Sequence, residues 1–225
     1  MIETAARLDE CADAVAAAAL LAVDPHGLGG VVLRGSGGPV RDAWLDLFRD
    51  LLPAGAPVRR SPITIADDRL IGGLDLPASL AAGRPVAQRG LLAEADGGVL
   101  VLPMAERLSD GAGARFSAVL DEGEVIVERD GIGTRSPARL GLVLLDEGMT
   151  PEERPPTALS ERCAFSLLTD DVPLLDLATD FDRGTITEAR ARYARGAAMP
   201  EVLVEALCAA TEAFGIGSAR AALLA

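Results

Sequence analysis

A chain of 225 residues with 49% hydrophobic and 24% charged positions has the apolar content for a buried core and is not a disordered polymer. Its formal charge of −13, with arginine as the only strong base, repels a phosphate backbone and argues against a nucleic-acid partner. Cys11, Cys163 and Cys208 are scattered and His26 is the single histidine, which excludes a conventional Cys/His zinc site within one chain and suits free thiols in a reducing compartment.

Leu8 to Val23 reads as an amphipathic helix, stopped by Asp24-Pro25 and the glycines after it. Its apolar run, Ala14 to Val23, is too short to span a bilayer, and no secretory leader is expected at the start, so a cytoplasmic protein without membrane contact is predicted. Val31 to Leu33 is a short, wholly apolar strand of the kind buried on both faces of a parallel sheet. A glycine-rich turn follows, and then Trp44, Leu45, Leu47, Phe48, Leu51 and Leu52 recur at helical spacing up to Pro53.

The stretch Asp67 to Gly73 is expected to be a loop or short turn, with short helices over Leu76–Ala82 and Gly90–Ala95. Val99 to Leu102 predicts a second buried strand, cut off by Pro103, and Ala112 to Leu120 a helix. Glu124 to Arg129 alternates polar and apolar residues before Asp130-Gly131, which predicts a β-hairpin returning through Ile132 and Thr134. Leu140 to Leu145 and Ala164 to Leu168 are the third and fourth buried strands.

Beyond Asp182 the pattern becomes helical over Thr185–Arg195, Pro200–Phe214 and Ser218–Ala225. The expected architecture is a doubly wound, mostly parallel α/β core over residues 1–182 with a projecting hairpin. A lid-like helical segment, 183–225, follows and is expected to be truncated because its last helix has no cap.

The turn Arg34-Gly35-Ser36-Gly37-Gly38-Pro39-Val40-Arg41-Asp42 occupies the place of a phosphate-binding P-loop, between first strand and helix. Such a loop needs permissive glycines, a lysine for the β/γ-phosphates and a hydroxyl for Mg²⁺. Gly35 and Gly38 keep the glycine character, but Arg41 stands for the lysine and Asp42 for the hydroxyl. Arginine's planar fork does not replace a compact ammonium, and Asp42 would face the triphosphate with a carboxylate.

The partner motif is an apolar strand ending in acids for Mg²⁺ and water. Val99 to Leu102 is such a strand, yet Pro103-Met104 stand where the acids belong. Glu106 lies just beyond and reads as a solvated glutamate at a helix start. Losing both halves together points to an ATPase scaffold that no longer hydrolyses. The competing reading is a divergent nucleotide-binding switch or weak ATPase that uses Arg41 on phosphates and Glu106 near a metal.

Several strings together resemble the AAA+ module of the magnesium chelatase family. Ala22-Val23-Asp24-Pro25 with Gly29 to Gly35 is similar to its start, and Asp68-Arg69-Leu70-Ile71-Gly72-Gly73-Leu74-Asp75 to its D-R-L-[VIF]-G-[AGST]-[LIV]-D signature. Gly90 to Ala93, Gly97 to Leu102, Val127 to Gly131 and Pro137 to Arg139 match further stretches in order. The degenerate motifs, and the missing asparagine before Pro151-Glu152-Glu153, fit the family's D-type subunit, whose AAA+ portion precedes a proline-rich acidic linker and an integrin-I-like domain.

The resemblance implies a non-hydrolysing platform. It would assemble with the ATP-hydrolysing I subunit and the porphyrin-binding H subunit to insert Mg²⁺ into protoporphyrin IX for chlorophyll or bacteriochlorophyll. Self-association is compatible with it. No nucleotide or resident metal is then expected to bind tightly in this chain; ATP and Mg²⁺ act in the partner. The resemblance also implies that Arg162 acts in trans as an arginine finger, against a structural ion pair with Glu161 or Asp170 as the alternative. It places Arg220 at the sensor-2 position.

Overall fold

A computed structural model describes residues 2–129, 132–170, 181–196 and 200–213. In chain order the elements are α1 (Ile2–Val23), β1 (Gly30–Arg34), α2 (Pro39–Leu51), β2 (Val58–Arg60), α3 (Asp67–Leu70), β3 (Gly72–Leu74), α4 (Leu76–Ala82), β4 (Ala87–Arg89) and α5 (Leu91–Glu94). They continue with β5 (Val99–Leu102), α6 (Asp110–Glu122), β6 (Glu124–Arg129), β7 (Ile132–Pro137), β8 (Gly141–Asp146), α7 (Thr157–Ser160), β9 (Phe165–Leu168), α8 (Arg183–Ala194) and α9 (Glu201–Ala213).

β1, β2, β5, β8 and β9 form one parallel sheet in the order β2-β5-β8-β1-β9. Counting only these strands along the chain, the order is 2-3-4-1-5. The apolar runs are continuous because helices cover both faces, and the two-residue strand period divides them. Val31, Leu33, Val99, Val101, Val143 and Leu145 face a cluster that contains Cys11, Ala14, Leu21, Trp44 and Phe48 from α1 and α2. Val32, Leu100, Leu102, Leu142 and Leu144 face the opposite cluster, with Leu92 of α5 and Phe116 and Leu120 of α6. The register Val31↔Val143 and Val101↔Val143 puts residues of like parity on like faces, so a one-residue slip would invert both cores.

On the first face the alanines of α1 let α2 approach closely. The indole N–H of Trp44 donates to the Ala14 carbonyl at 2.8 Å, and the Trp44 and Phe48 rings stack with centroids 5.3 Å apart. Ile186 of α8 joins this cluster. The Arg183 Nε donates to the Leu52 carbonyl at 2.9 Å and the Arg190 Nε to the Ala22 carbonyl at 2.9 Å, so α8 supplies cations to the carboxyl ends of α2 and α1.

Two elements differ from the sequence expectation. Asp67–Gly73 is a turn of helix, α3, leading into β3, which pairs antiparallel with β4. Glycines at Gly72 and Gly73 hide this hairpin, because its pairing with Gln88 and Arg89 leaves no local apolar alternation. β2 was not expected either: it is a three-residue edge strand bearing exposed Arg59 and Arg60, and only its contact with β5 defines it. β6 and β7 pair in the expected hairpin register, Arg129↔Ile132, while Asp130 and Gly131 lie outside the described residues, as does the helix expected over 218–225. Among the described residues no helix is long and apolar enough to cross a membrane.

Phe48 is fully buried between α1 and the sheet. Phe48→Ala is expected to cost about 3–5 kcal/mol, seen in urea titration as a lower midpoint at unchanged slope.

Candidate functional site

Parallel register decides what surrounds the glycine turn. Arg34 ends β1 opposite Asp146, the last residue of β8, and opposite Leu168, the last residue of β9. Residues one or two positions past these ends therefore meet at the carboxyl edge of the sheet, where open α/β sheets place ligands. They are Gly35 and Ser36, Glu147 and Gly148, and Thr169 and Asp170.

Arg34 itself builds the floor. Its Nη1 donates to the Asp146 carboxylate at 2.7 Å and to the Glu153 carbonyl at 2.9 Å. Its Nη2 donates to the carbonyls of Gly148 at 3.0 Å and Thr150 at 2.7 Å. Asp146 is fully buried and also accepts the Gly148 N–H at 2.9 Å. The pair thus fastens the whole loop after β8 to the end of β1.

The turn joins β1 to α2 through its glycines. Gly35 adopts φ +144°, and a Cβ there would lie 2.9 Å from the Asp170 carboxylate, so a side chain does not fit. Gly38 is the extended N-cap residue of α2 without a side-chain cap, and Pro39 opens the helix. The first two N–H groups of this turn are engaged within the chain. The Gly35 N–H goes to the Asp146 carbonyl at 3.0 Å. The N–H and hydroxyl of Ser36 both go to Asp170 Oδ1, at 3.1 and 3.0 Å.

Arg41 is likewise engaged: its Nη1 donates to Glu147 Oε1 at 2.7 Å, and its side chain is only 12% exposed. Its Nε is buried and makes no hydrogen bond. Glu106 accepts the Glu147 N–H at 3.0 Å, and its side chain is 4% exposed. The solvated glutamate read from the sequence is corrected by this: Glu106 is a buried acceptor that positions Glu147, because the turn after β5 tucks it beneath the loop following β8. Met104, in place of a strand-end acid, adopts φ 49°, a left-handed conformation unusual for a non-glycine residue.

What remains between Arg34, Ser36, Glu147, Met149, Leu168 and Asp170 is a cavity of about 240 Å³, smaller than the ~300–1,000 Å³ of small-molecule sites. The residues present do not fit a magnesium-bound triphosphate. The loop cation sits on a carboxylate, a second carboxylate takes the Ser36 N–H, and no acid ends β5. Among the described residues no cluster of three His, Cys, Asp or Glu side chains could hold a metal ion.

Arg162 lies at the opposite, amino edge of the sheet, just ahead of β9 and beside Gly29, so it does not meet the turn of its own chain. Its Nε donates to Asp121 Oδ1 at 3.0 Å and its Nη2 to Asp121 Oδ2 at 2.5 Å, while Nη1 donates to the Ala158 carbonyl at 2.6 Å. The ion-pair partner is thus Asp121 at the end of α6, not Glu161 or Asp170. The hydrogen bond to Asp121 raises the Arg162 pKa, outweighing the opposing effect of burial. Arg220 lies outside the described residues. The sequence reading missed Arg34, Asp146, Glu147 and Asp170; an apolar strand ending in Asp146-Glu147 was the available signal for two of them.

A five-stranded parallel sheet in 2-3-4-1-5 order, with a glycine turn between its first strand and α2, defines a P-loop NTPase domain of the AAA+ class with degenerate nucleotide motifs. No family model matches the chain. It is 40% identical over 213 residues to the magnesium-chelatase 60 kDa subunit of Cereibacter sphaeroides, covering 93% of this chain and 34% of that protein. The 67 kDa subunit of Chlorobaculum parvum is 42% identical over 124 residues, 55% of this chain and 20% of the relative. The 38 kDa subunit of Rhodobacter capsulatus is 31% identical over 165 residues, 60% of this chain and 46% of the relative.

In structure the chain is similar to one from the complex between subunits BchI and BchD of magnesium chelatase, based on a cryo-EM reconstruction. The TM-score is 0.51 at 25% identity, over 83% of this chain and 64% of the other. The chain is homologous to the 60 kDa, D-type subunits of magnesium chelatase over 93% of its length and matches a part of them with an AAA+-like fold. It spans about a third of the length of its 60 kDa relatives.

Removing one member of the buried Arg34–Asp146 pair strands the other. Arg34→Ala is expected to destabilise the domain by about 3–5 kcal/mol in urea titration, whereas the exposed pair Arg49–Asp46 contributes under about 1 kcal/mol by the same measure.

Proposed function

We propose that this chain is the AAA+-like part of a non-hydrolysing platform subunit of magnesium chelatase. It assembles in the cytoplasm with the ATP-hydrolysing I subunit and, through the complex, serves the H subunit in inserting the substrate ion Mg²⁺ into protoporphyrin IX. The observation that carries the reading is Arg41: the residue at the P-loop lysine position is spent on Glu147. Similarity to the 60 kDa subunits over 93% of the chain supports it. ATP and its Mg²⁺ act in the partner, and this chain holds neither tightly.

Arg162 is the residue proposed to reach a neighbour's nucleotide. Its place on the edge away from its own P-loop suits action in trans, and a finger neutralises charge developing on a transferred phosphoryl group. To do so it must exchange Asp121 for phosphate oxygens. The pair with Asp121 is bidentate but partly exposed, with Arg162 at 26% and Asp121 at 40%, so water can solvate the carboxylate when the guanidinium leaves.

Two measurements test this. The isolated chain is expected to show no ATP turnover, and mixing it with the I subunit and ATP is expected to give a mixed assembly of higher mass. Turnover comparable to an active AAA+ protein, or no mixed assembly, overturns the platform reading.

In chelatase reconstituted from the full-length subunit, Arg162→Ala is expected to lower turnover at the shared sites by roughly tenfold or more. Asp121→Ala breaks the same ion pair yet keeps the guanidinium, and is expected to retain activity. Equal losses in both variants would make Arg162 structural.

A further inference from the structure

We propose that the P-loop of this subunit is an anion site already filled by two of the chain's own carboxylates. Asp170 takes the Ser36 N–H and hydroxyl at the start of the loop, and Glu147 pairs with Arg41, the cation at the lysine position. This rests on the platform reading above and adds how the site is kept empty of nucleotide.

Backbone N–H groups of a glycine turn, the first turn of a helix and a nearby cation attract an anion whatever its source. A free phosphate and a tethered carboxylate compete for the same donors. Asp170 Oδ1 takes both the N–H and the hydroxyl of Ser36, at 3.1 and 3.0 Å. Asp170 is held in place by its neighbour: the Thr169 N–H and hydroxyl both donate to the Arg34 carbonyl, at 2.8 and 3.2 Å. Gly35 leaves the space that lets Asp170 approach, since a Cβ there would meet its carboxylate.

The second carboxylate is positioned with equal care. Glu147 is steered by Glu106, which accepts its N–H, and by Arg34, which ties down the loop after it. Its carboxylate then meets Arg41 at 2.7 Å across a separation of 106 residues. Asp42, in the first turn of α2, adds a further acid near the loop. A polyphosphate entering here must displace two seated carboxylates and then remain beside them, and like charges at contact distance oppose it.

A tethered anion has one property that a nucleotide lacks: it is never exchanged or hydrolysed. The turn and the loop after β8 are therefore held in one arrangement while a partner cycles through its nucleotide states. An ATPase would require the opposite.

The test removes the internal anions and offers a free one. Inorganic pyrophosphate is titrated calorimetrically into the whole chain, wild type and the double variant Asp170→Ala/Glu147→Gln, with folding checked by circular dichroism. The expected result is saturable binding in the double variant, at least about tenfold tighter than in wild type. Wild-type binding as tight as the variant's overturns the proposal, and so does a folded variant without the gain.

Should the double variant fail to fold, Asp170→Asn keeps an acceptor for Ser36 and removes the charge. Its pyrophosphate affinity is expected to lie above that of wild type, and an unchanged value overturns the proposal. Neither result depends on assembly with a partner, so the lock and the platform role can fail separately.

Discussion

The contact between Arg34 and Asp146 joins the ends of two neighbouring parallel strands at 2.7 Å, with the carboxylate fully buried. A buried charge pair is tolerated only when its remaining donors and acceptors are satisfied. Here they are: Arg34 reaches the carbonyls of Gly148, Thr150 and Glu153, and Asp146 accepts the Gly148 N–H. The pair therefore does more than close the sheet. It sets the path of the loop after β8, which sets Glu147, which sets Arg41. The state of the nucleotide cleft descends from one ion pair in the floor beneath it.

The two edges of the sheet carry different charged groups. At the carboxyl edge the scaffold of a phosphate site survives in outline, with Gly35 in its unusual conformation and α2 starting at Pro39. Its electrostatics have been reversed from receiving an anion to supplying one. At the amino edge Arg162 rests in a bidentate, partly exposed pair with Asp121. A guanidinium parked on a nearby carboxylate stays charged and oriented.

The elements that were legible in advance are those with a strong local signal. β1, β5 and β8 are apolar runs bounded by glycine, proline or charge, and α2 carries apolar residues at helical spacing, whereas β9, expected to be buried, is an edge strand with Ser166 and Leu168 exposed. β2 and the β3–β4 hairpin lack such a signal. Arg59, Arg60, Gly72 and Gly73 are poor strand residues by themselves, and they become strands through hydrogen bonds to partners far along the chain. Glu106 was misread for the same reason: a glutamate after a proline looks solvated until the loop that covers it is in place.

Sequence by itself determined the class of this domain and the departure of its loop and strand end from the nucleotide motifs. An uninterrupted apolar strand has no stable place except a covered sheet, and folding cannot put a lysine, a hydroxyl or an acid where the chain encodes Arg41, Asp42 and Pro103. Only the tertiary structure decided where the surviving charges went. Arg41 meets Glu147 across 106 residues, Ser36 meets Asp170 across 134, and Arg162 meets Asp121 across 41. Those distances along the chain are closed by the parallel register of β1, β8 and β9 and by the docking of α6. No local pattern carries that register, because it is a property of the assembled sheet.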